Sequence, residues 1–339
     1  MTTRDRSRFF KAPWPAFVSL VTVTLWVLLP PCPVPASDDA QEPAPEEWSE
    51  PARLAPQSLL LDAAHLDGRL VVVGERGHVL LSEDGGVNWT QARVPTRSLL
   101  TAATAVGGRY VWAVGHDSVI LHSADAGSTW TRQFYAPEDE RPLLDVWFEN
   151  PEHGLAIGAY GLFLETKDGG KTWEERTVDQ EERHWNAITA GPGGTLYVAA
   201  ESGAVFRSAD RGQSWELLET PYQGSYLGVL SVTNRTLLIF GLRGNVYRSA
   251  DRGETWQHVP TDTTVTLMGG GQLSDGTVLI VGLSGAVLTS RDKGESFRTT
   301  NLPDRKALST VIENGPRGLL LLGESGVDLM EEVPSSPST

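Results

Sequence analysis

Gly74-Glu75-Arg76-Gly77, followed by Ser82-Glu83-Asp84-Gly85-Gly86-Val87-Asn88-Trp89, is the stretch on which the fold turns. The same phrase returns about every 41 residues. Its box carries Asp125 and Trp130, then Asp168 and Trp173, Asp210 and Trp215, Asp251 and Trp256, and finally Asp292 and Phe297. A seventh phrase opens as Gly323-Glu324-Ser325-Gly326 and stops at Met330, before any Asp or Trp. A strand-rich repeat of this length is a propeller blade, so the expected fold class is all-β, a seven-bladed β-propeller.

The spacing also suggests how the ring closes. Trp48 precedes Trp89 by 41 residues, and Glu47-Trp48-Ser49-Glu50-Pro51-Ala52-Arg53 resembles Asn88-Trp89-Thr90-Gln91-Ala92-Arg93. Residues near 47–54 are therefore expected to supply the outermost strand of the last blade, completing three inner strands near 307–330. Such a closure would leave few free sheet edges. Within the first blade, Leu59–His65 is the expected inner strand and Asp67-Gly68 a hairpin turn. Arg69–Gly74 is a β-branched run suited to burial on both faces, and His78–Ser82 makes the third strand. No sustained 3.6-residue apolar period suggests helix.

The box resembles the Asp-box of sialidase-type and BNR-repeat propellers, Ser/Thr-x-Asp-x-Gly-x-Ser/Thr-Trp. Its expected role is architectural. The carboxylate accepts backbone N–H groups across a tight turn, the glycine two positions on takes a positive φ, and the aromatic ring wedges into apolar space. Burying each ring stabilises by about 2–3 kcal/mol. A Ca²⁺ loop is disfavoured, because one carboxylate per loop supplies too few oxygens.

Residues 1–36 lie outside this pattern. Arg4, Arg6, Arg8 and Lys11 precede an apolar stretch from Ala16 to Leu29, and Pro30 to Ala36 leads into acidic sequence. This resembles a secretory signal peptide cleaved near Ala36, which implies an exported, periplasmic protein. Left uncleaved, it would tether the chain to the membrane. Cys32 invites a lipoprotein reading, against which Pro30 and Pro31 stand where small residues are wanted. Residues 37–46 have the composition of a flexible acidic linker and 331–339 that of a disordered tail. Cys32 is the single cysteine, so the mature chain would carry no disulfide, and the ring is long enough to bury its core without one. The chain has 28 basic and 43 acidic residues, a net charge of −15, and removing the leader leaves −18. A surface this acidic repels nucleic acid and anionic headgroups.

Function in a propeller is expected where otherwise regular repeats vary, namely in the Gly-x-x-Gly turns and the inter-blade crossings on one face of the ring. The candidate partner-binding residues are Arg76, Tyr160, Glu201 and Arg243 in the turns, with Tyr135, Arg141, Arg183, Trp185, Tyr222 and Tyr226 in three polar-aromatic crossings. The seven histidines include no His-x-His or Glu-x-x-His pair, and no Gly-x-Ser-x-Gly elbow appears. His78 and His122 are expected to be structural. No catalytic residue, metal or cofactor is assigned, and a monomer is expected.

Seven Gly-x-x-Gly…Ser-x-Asp-Gly-Gly-x-x-Trp repeats behind an export leader resemble the Ycf48/Hcf136-like family over residues 47–330. In oxygenic phototrophs the resemblance implies a lumenal, non-enzymatic photosystem II assembly factor that meets the D1 subunit through an arginine-rich patch. Arg76 and Arg243 fall in the corresponding turns, whereas Asp117, Tyr160, Ser202, Ser284 and Ser325 fill the others. In other bacteria it implies an envelope accessory protein for a membrane complex such as a transporter. The rival reading is a sialidase-like propeller that binds or hydrolyses glycans. Arg76, Arg243, Tyr160 and Glu201 could be cast in sialidase roles, but an arginine for the first clamp position is missing.

Overall fold

A computed structural model describes residues 47–332, apart from Asp67, Pro316 and Arg317. The expected leader, the acidic linker, the Asp67 half of the first hairpin turn and the tail beyond Glu332 lie outside the described residues.

Seven antiparallel sheets follow one another along the chain, six of four strands and one of three. Blade 1 comprises Leu60–Leu66, Arg69–Gly74, Val79–Ser82 and Thr90–Ala92. Blade 2 comprises Leu100–Val106, Tyr110–Gly115, Ile120–Ser123 and Thr131–Phe134, and blade 3 Leu143–Phe148, Gly154–Gly158, Phe163–Thr166 and Glu174–Glu175. Blade 4 runs through Trp185–Ala190, Leu196–Ala200, Val205–Ser208 and Glu216–Leu218, and blade 5 through Tyr226–Ser231, Leu237–Gly241, Val246–Ser249 and Gln257–Val259. Blade 6 is Leu267–Gln272, Val278–Gly282, Ala286–Ser290 and Arg298–Asn301, and blade 7 is Leu308–Glu313, Leu319–Gly323 and Gly326–Met330. The first strand of each blade packs on the first strand of the next, and that of blade 1 packs on blade 7, so the ring is closed. The helical turns among the described residues are short 3₁₀ turns.

The second strands are hydrophobic throughout because both their faces are covered. In blade 1, Val71 and Val73 join Val111 and Ala113 in the core shared with blade 2. Leu70 and Val72 point the other way, into the core shared with Leu320 and Leu322 of blade 7. The Asp-box aromatics fill these same seams, each reaching the seam between its own blade and the preceding one. Trp89 lies against the blade 7–1 core, Trp130 is in the 1–2 core, Trp173 lies against 2–3, Trp215 against 3–4, Trp256 against 4–5, and Phe297 is in 5–6.

The expectation about the amino-terminal segment needs correction. Residues 47–54 form no strand on blade 7, and among the described residues that blade has three strands. Instead the segment lies on blade 1. Ser49 N donates to Val94 O (2.9 Å), the Gln91 amide bridges Ala52 N and Glu50 O, and Arg97 Nε donates to Trp48 O. Trp48, which the spacing equates with the box aromatics, sits under the Arg93 guanidinium at 4.9 Å. The chain joins the expected path only at Ala55–Gln57, a 3₁₀ turn that packs against the third strand of blade 7. Pro51 lacks the N–H that a ladder needs, whereas the side chains of Gln91 and Arg97 offer this segment polar partners on blade 1.

Candidate functional site

The Asp-boxes are clamps. In blade 5, Ser249 Oγ accepts Gly253 N (2.8 Å) and donates to Asp251 Oδ1 (2.7 Å), while Asp251 accepts both Thr255 N and Thr255 Oγ1. The same bonds recur around Asp125, Asp168, Asp210 and Asp292, and around Asp84 with the Asn88 amide replacing the hydroxyl. Hydrogen bonds from Ser214 and Thr255 hold the Asp210 and Asp251 carboxyls down at about 2, so each clamp is an ion at neutral pH. The box glycines take the expected left-handed φ, from 80° at Gly294 to 92° at Gly253. The opening Ser or Thr, to which the box pattern alone assigns no role, caps the turn as fully as the aspartate does.

The opposite face is built by the Gly-x-x-Gly turns. The residue opening each turn donates its N–H to the carbonyl just before the blade's first strand, as Glu75 does to Leu59 and Leu242 to Ser225. A Cβ at Gly74 would collide with that Leu59 oxygen, and one at Gly77 would collide with Thr96 O at a φ of 68°. Between the glycines the third residue is forced into the left-handed region: Arg76, Asp117, Tyr160, Ser202, Arg243 and Ser284 have φ of 55–60°. One side chain in each of blades 1–6 is thereby held in the same pose. Non-glycine residues adopt that pose only when the surroundings impose it.

The ten candidates sort into three groups. Arg76, Arg243 and Tyr160 occupy the left-handed turn positions. Neither arginine has a carboxylate within salt-bridge distance among the described residues. Arg76 lines a cleft of about 280 Å³ with His78, Arg97 and Glu50–Ala52. Tyr160 is 56 % exposed and edges onto His184 at 4.6 Å, and His184 is in turn tied to Glu201, which accepts its backbone N–H. Tyr135 is also exposed, beneath Arg132 at 4.4 Å, and burial together with Asp117 pushes its phenol up.

Arg141 and Arg183 are structural ties. Arg141 makes a two-pronged pair with Glu175 at 2.7 and 3.0 Å and touches Asp139. Arg183 holds the buried Asp179 at 2.8 and 3.0 Å and pairs with Glu181.

Trp185 and Tyr226 are core residues rather than surface residues. Trp185 is 1 % exposed, stacked on Phe206 at 4.6 Å. Tyr226 is fully buried and donates to Thr220 Oγ1, and burial raises its phenol. Both open an inner strand where the other blades carry Leu, so an aromatic in that register is packing. Tyr222 lies half-buried beside Tyr226 at 5.7 Å. His78 is buried against Ser58 Oγ (2.9 Å), as expected of a structural histidine. His122 lies tilted over Trp112 at 4.7 Å, and its Nε2 has no partner among the described residues. Burial lowers the pKa of both.

A feature that the sequence argument missed lies in the channel. The first strands each carry a bulge at their second residue, and the bulges line a space of about 270 Å³. Asp62 and Asp145 sit there, accepting the backbone N–H of Ala103 and Ile188 on the next blade at 2.9 and 2.8 Å. They are the titratable residues of the lining. Burial pushes Asp62 up to about 6 and Asp145 up to about 7. The two positions are 83 residues apart, two repeat lengths, and each ends the triplet Leu-Leu-Asp that opens a first strand, a repeated acid in an apolar run that could have marked them.

A closed ring of seven blades, six of them clamped by Asp-boxes on one face and presenting one posed side chain each on the other, defines an Asp-box β-propeller. The model of the photosynthesis system II assembly factor YCF48 family matches residues 41–138 and 133–276. The chain belongs to that family. It is 32 % identical over 115 residues to a photosystem II assembly lipoprotein Ycf48 from Synechocystis sp., an alignment covering 33 % of each chain. It is 30 % identical over 96 residues to the chloroplastic photosystem II stability/assembly factor HCF136 of Arabidopsis thaliana, covering 26 % of this chain and 24 % of that one. These alignments span about a quarter to a third of the relatives' length. Among solved structures, a YCF48 bound to a D1 peptide superposes with a TM-score of 0.65 at 18 % identity, covering 83 % of this chain and 95 % of that one. A streptogramin B lyase superposes with a TM-score of 0.68 at 13 % identity, covering 80 % and 93 %. The ring is thus shared by an enzyme and by assembly factors, and the fold alone does not choose between them.

Proposed function

We propose that this chain is an exported, non-catalytic propeller that binds a protein partner through its turn face and serves as an assembly factor for a membrane complex of the photosystem II type. The observation that carries this reading is the pair Arg76 and Arg243, which the Gly-x-x-Gly geometry holds in one repeated left-handed pose without a salt-bridge partner among the described residues. Posed, uncompensated guanidinium groups on an acidic protein suit carboxylates of a polypeptide, which they grip bidentately. The relatives named as assembly factors, and the solved YCF48 with a D1 peptide, support a protein ligand. Tyr160 in its turn and Tyr135 in the crossing after blade 2 add exposed aromatic contact.

The test is capture of partners by the chain from solubilised membranes of its own organism, compared with Arg76→Glu plus Arg243→Glu. Recovery of reaction-centre subunits by the parent and their loss with the double variant supports the reading. Equal recovery by both moves the site off the turn face. Retention on a glycan matrix with no protein recovered overturns the reading.

A further inference from the structure

Blade 7 breaks the pattern of the other six in a way that concerns its edge. In blades 1–6 the third-strand residue paired two positions before the turn glycine is apolar and buried: Leu80, Leu121, Leu164, Phe206, Tyr247 and Leu288, opposite Val72, Ala113, Ala156, Val198, Ile239 and Ile280, are at most 8 % exposed. The blade 7 hairpin is one residue shorter, and the same place, opposite Leu321, is held by Asp328, which is exposed. Leu329 beside it is 39 % exposed. The inner side of Gly326–Met330 is fully paired, Asp328 opposite Leu321 and Leu329 opposite Leu320. Its outer side carries no fourth strand among the described residues, and the segment expected there lies on blade 1. Asp328 has no cation within 4 Å among the described residues, and the neighbouring Glu331 and Glu332 are exposed.

We infer that the outer edge of residues 327–330, beyond the Gly326 end that Pro56 and Gln57 already cover, is a strand-addition site for an extended partner segment that alternates basic and apolar residues. The free N–H and C=O row supplies the ladder. Asp328 stands where the other blades place a buried leucine, phenylalanine or tyrosine, so an added strand that left it unpaired would bury a lone carboxylate. A Lys or Arg in the added strand removes that cost, and an apolar residue beside it covers Leu329. A second copy of this chain pairing edge to edge is disfavoured by the same charge, because it would set this acidic edge against its own copy. This surface is separate from the turn-face arginines and stands independently of them.

The test uses the full chain and a fluorescein-labelled nine-residue peptide alternating Val and Lys. Amide hydrogen exchange locates the contact, and fluorescence anisotropy measures affinity. The expected result is slowed exchange at residues 327–330 on adding peptide, with binding weakened at least tenfold by Asp328→Lys and clearly by Asp328→Asn. The exposed Asp304→Asn, which removes an equal charge elsewhere, leaves binding unchanged, and a Val/Glu peptide does not bind. Asp328 is at the surface, so its variants keep the parent melting temperature. Equal weakening by Asp304→Asn, or protection elsewhere, overturns the inference in favour of unspecific attraction to an acidic protein. Slow outward amides of residues 327–330 in the free chain also overturn it, because residues 47–54 or a second copy would then already hold the edge.

Discussion

Replacing Asp145 by Asn should reverse its effect on stability between acid and neutral pH. In the native ring the carboxyl is raised from 3.8 to about 7 by burial, with the Asp62 charge adding to the rise. Between about pH 4 and 7 the unfolded chain has therefore released a proton that the native ring retains. Protons bound by the native state exceed those bound by the unfolded state, so stability falls as pH rises through that window and is complete only below it. At about 1.4 kcal/mol per pH unit the loss approaches about 4 kcal/mol by pH 8, reduced to roughly 2–4 by screening from channel water. Asn carries no such penalty. It does lose a bond, because Asp145 accepts Val146 N at 2.7 Å through one oxygen and Ile188 N at 2.8 Å through the other, and an amide offers one acceptor. That loss is about 1–2 kcal/mol at every pH. The two curves should then cross near pH 5, the variant being weaker below and stronger by about 1–2 kcal/mol at pH 8. Urea unfolding followed by tryptophan fluorescence from pH 4.5 to 8 measures both. A variant that stays below the parent by a constant offset across that range would refute the argument.

The remaining expectations concern the clamps and turns. Ser249→Ala strands the buried Gly253 N–H and leaves Asp251 Oδ1 with only the Thr255 N–H, so urea unfolding should show a loss of about 1–3 kcal/mol, and a loss below about 0.5 would deny the serine its role. Gly77→Ala drives a methyl into Thr96 O at a positive φ and should cost about 2 kcal/mol or more, read as a fall in melting temperature. The Asp210 and Asp251 carboxyls lie at about 2, below their unfolded value, so their contribution is present above about pH 4 and is lost as pH falls towards 2. With the channel acids working in the opposite sense, the stability maximum should fall near pH 4–5, and a maximum above pH 7 in a pH series of melts would contradict both assignments.

What the sequence reveals about this ring follows from which forces act locally. The Asp-box is legible because its bonds close within four residues, from Ser249 to Gly253 and from Asp251 to Thr255, so every member must appear at fixed spacing. The Gly-x-x-Gly turn is legible for the same reason, since the Leu59 and Thr96 carbonyls crowd the positions of Gly74 and Gly77 in a way only glycine relieves. Where the partner comes from a distant part of the chain, spacing carries nothing. Trp185 and Tyr226 look like surface aromatics in polar crossings, yet they open the first strands of their blades, where the neighbouring blade buries them. Arg183 looks free until Asp179 is seen folded back upon it. The internal alignment of Trp48 with Trp89 is real as sequence but does not oblige the segment to pair with blade 7. A fourth strand there would have to cover the exposed charge of Asp328 and pass Pro51 through the ladder, while Ser49, Glu50 and Ala52 find hydrogen bonds on blade 1. The same substitution, Asp328 in place of a core residue, both deprives the last blade of its own strand and prescribes the charge of any strand that could replace it.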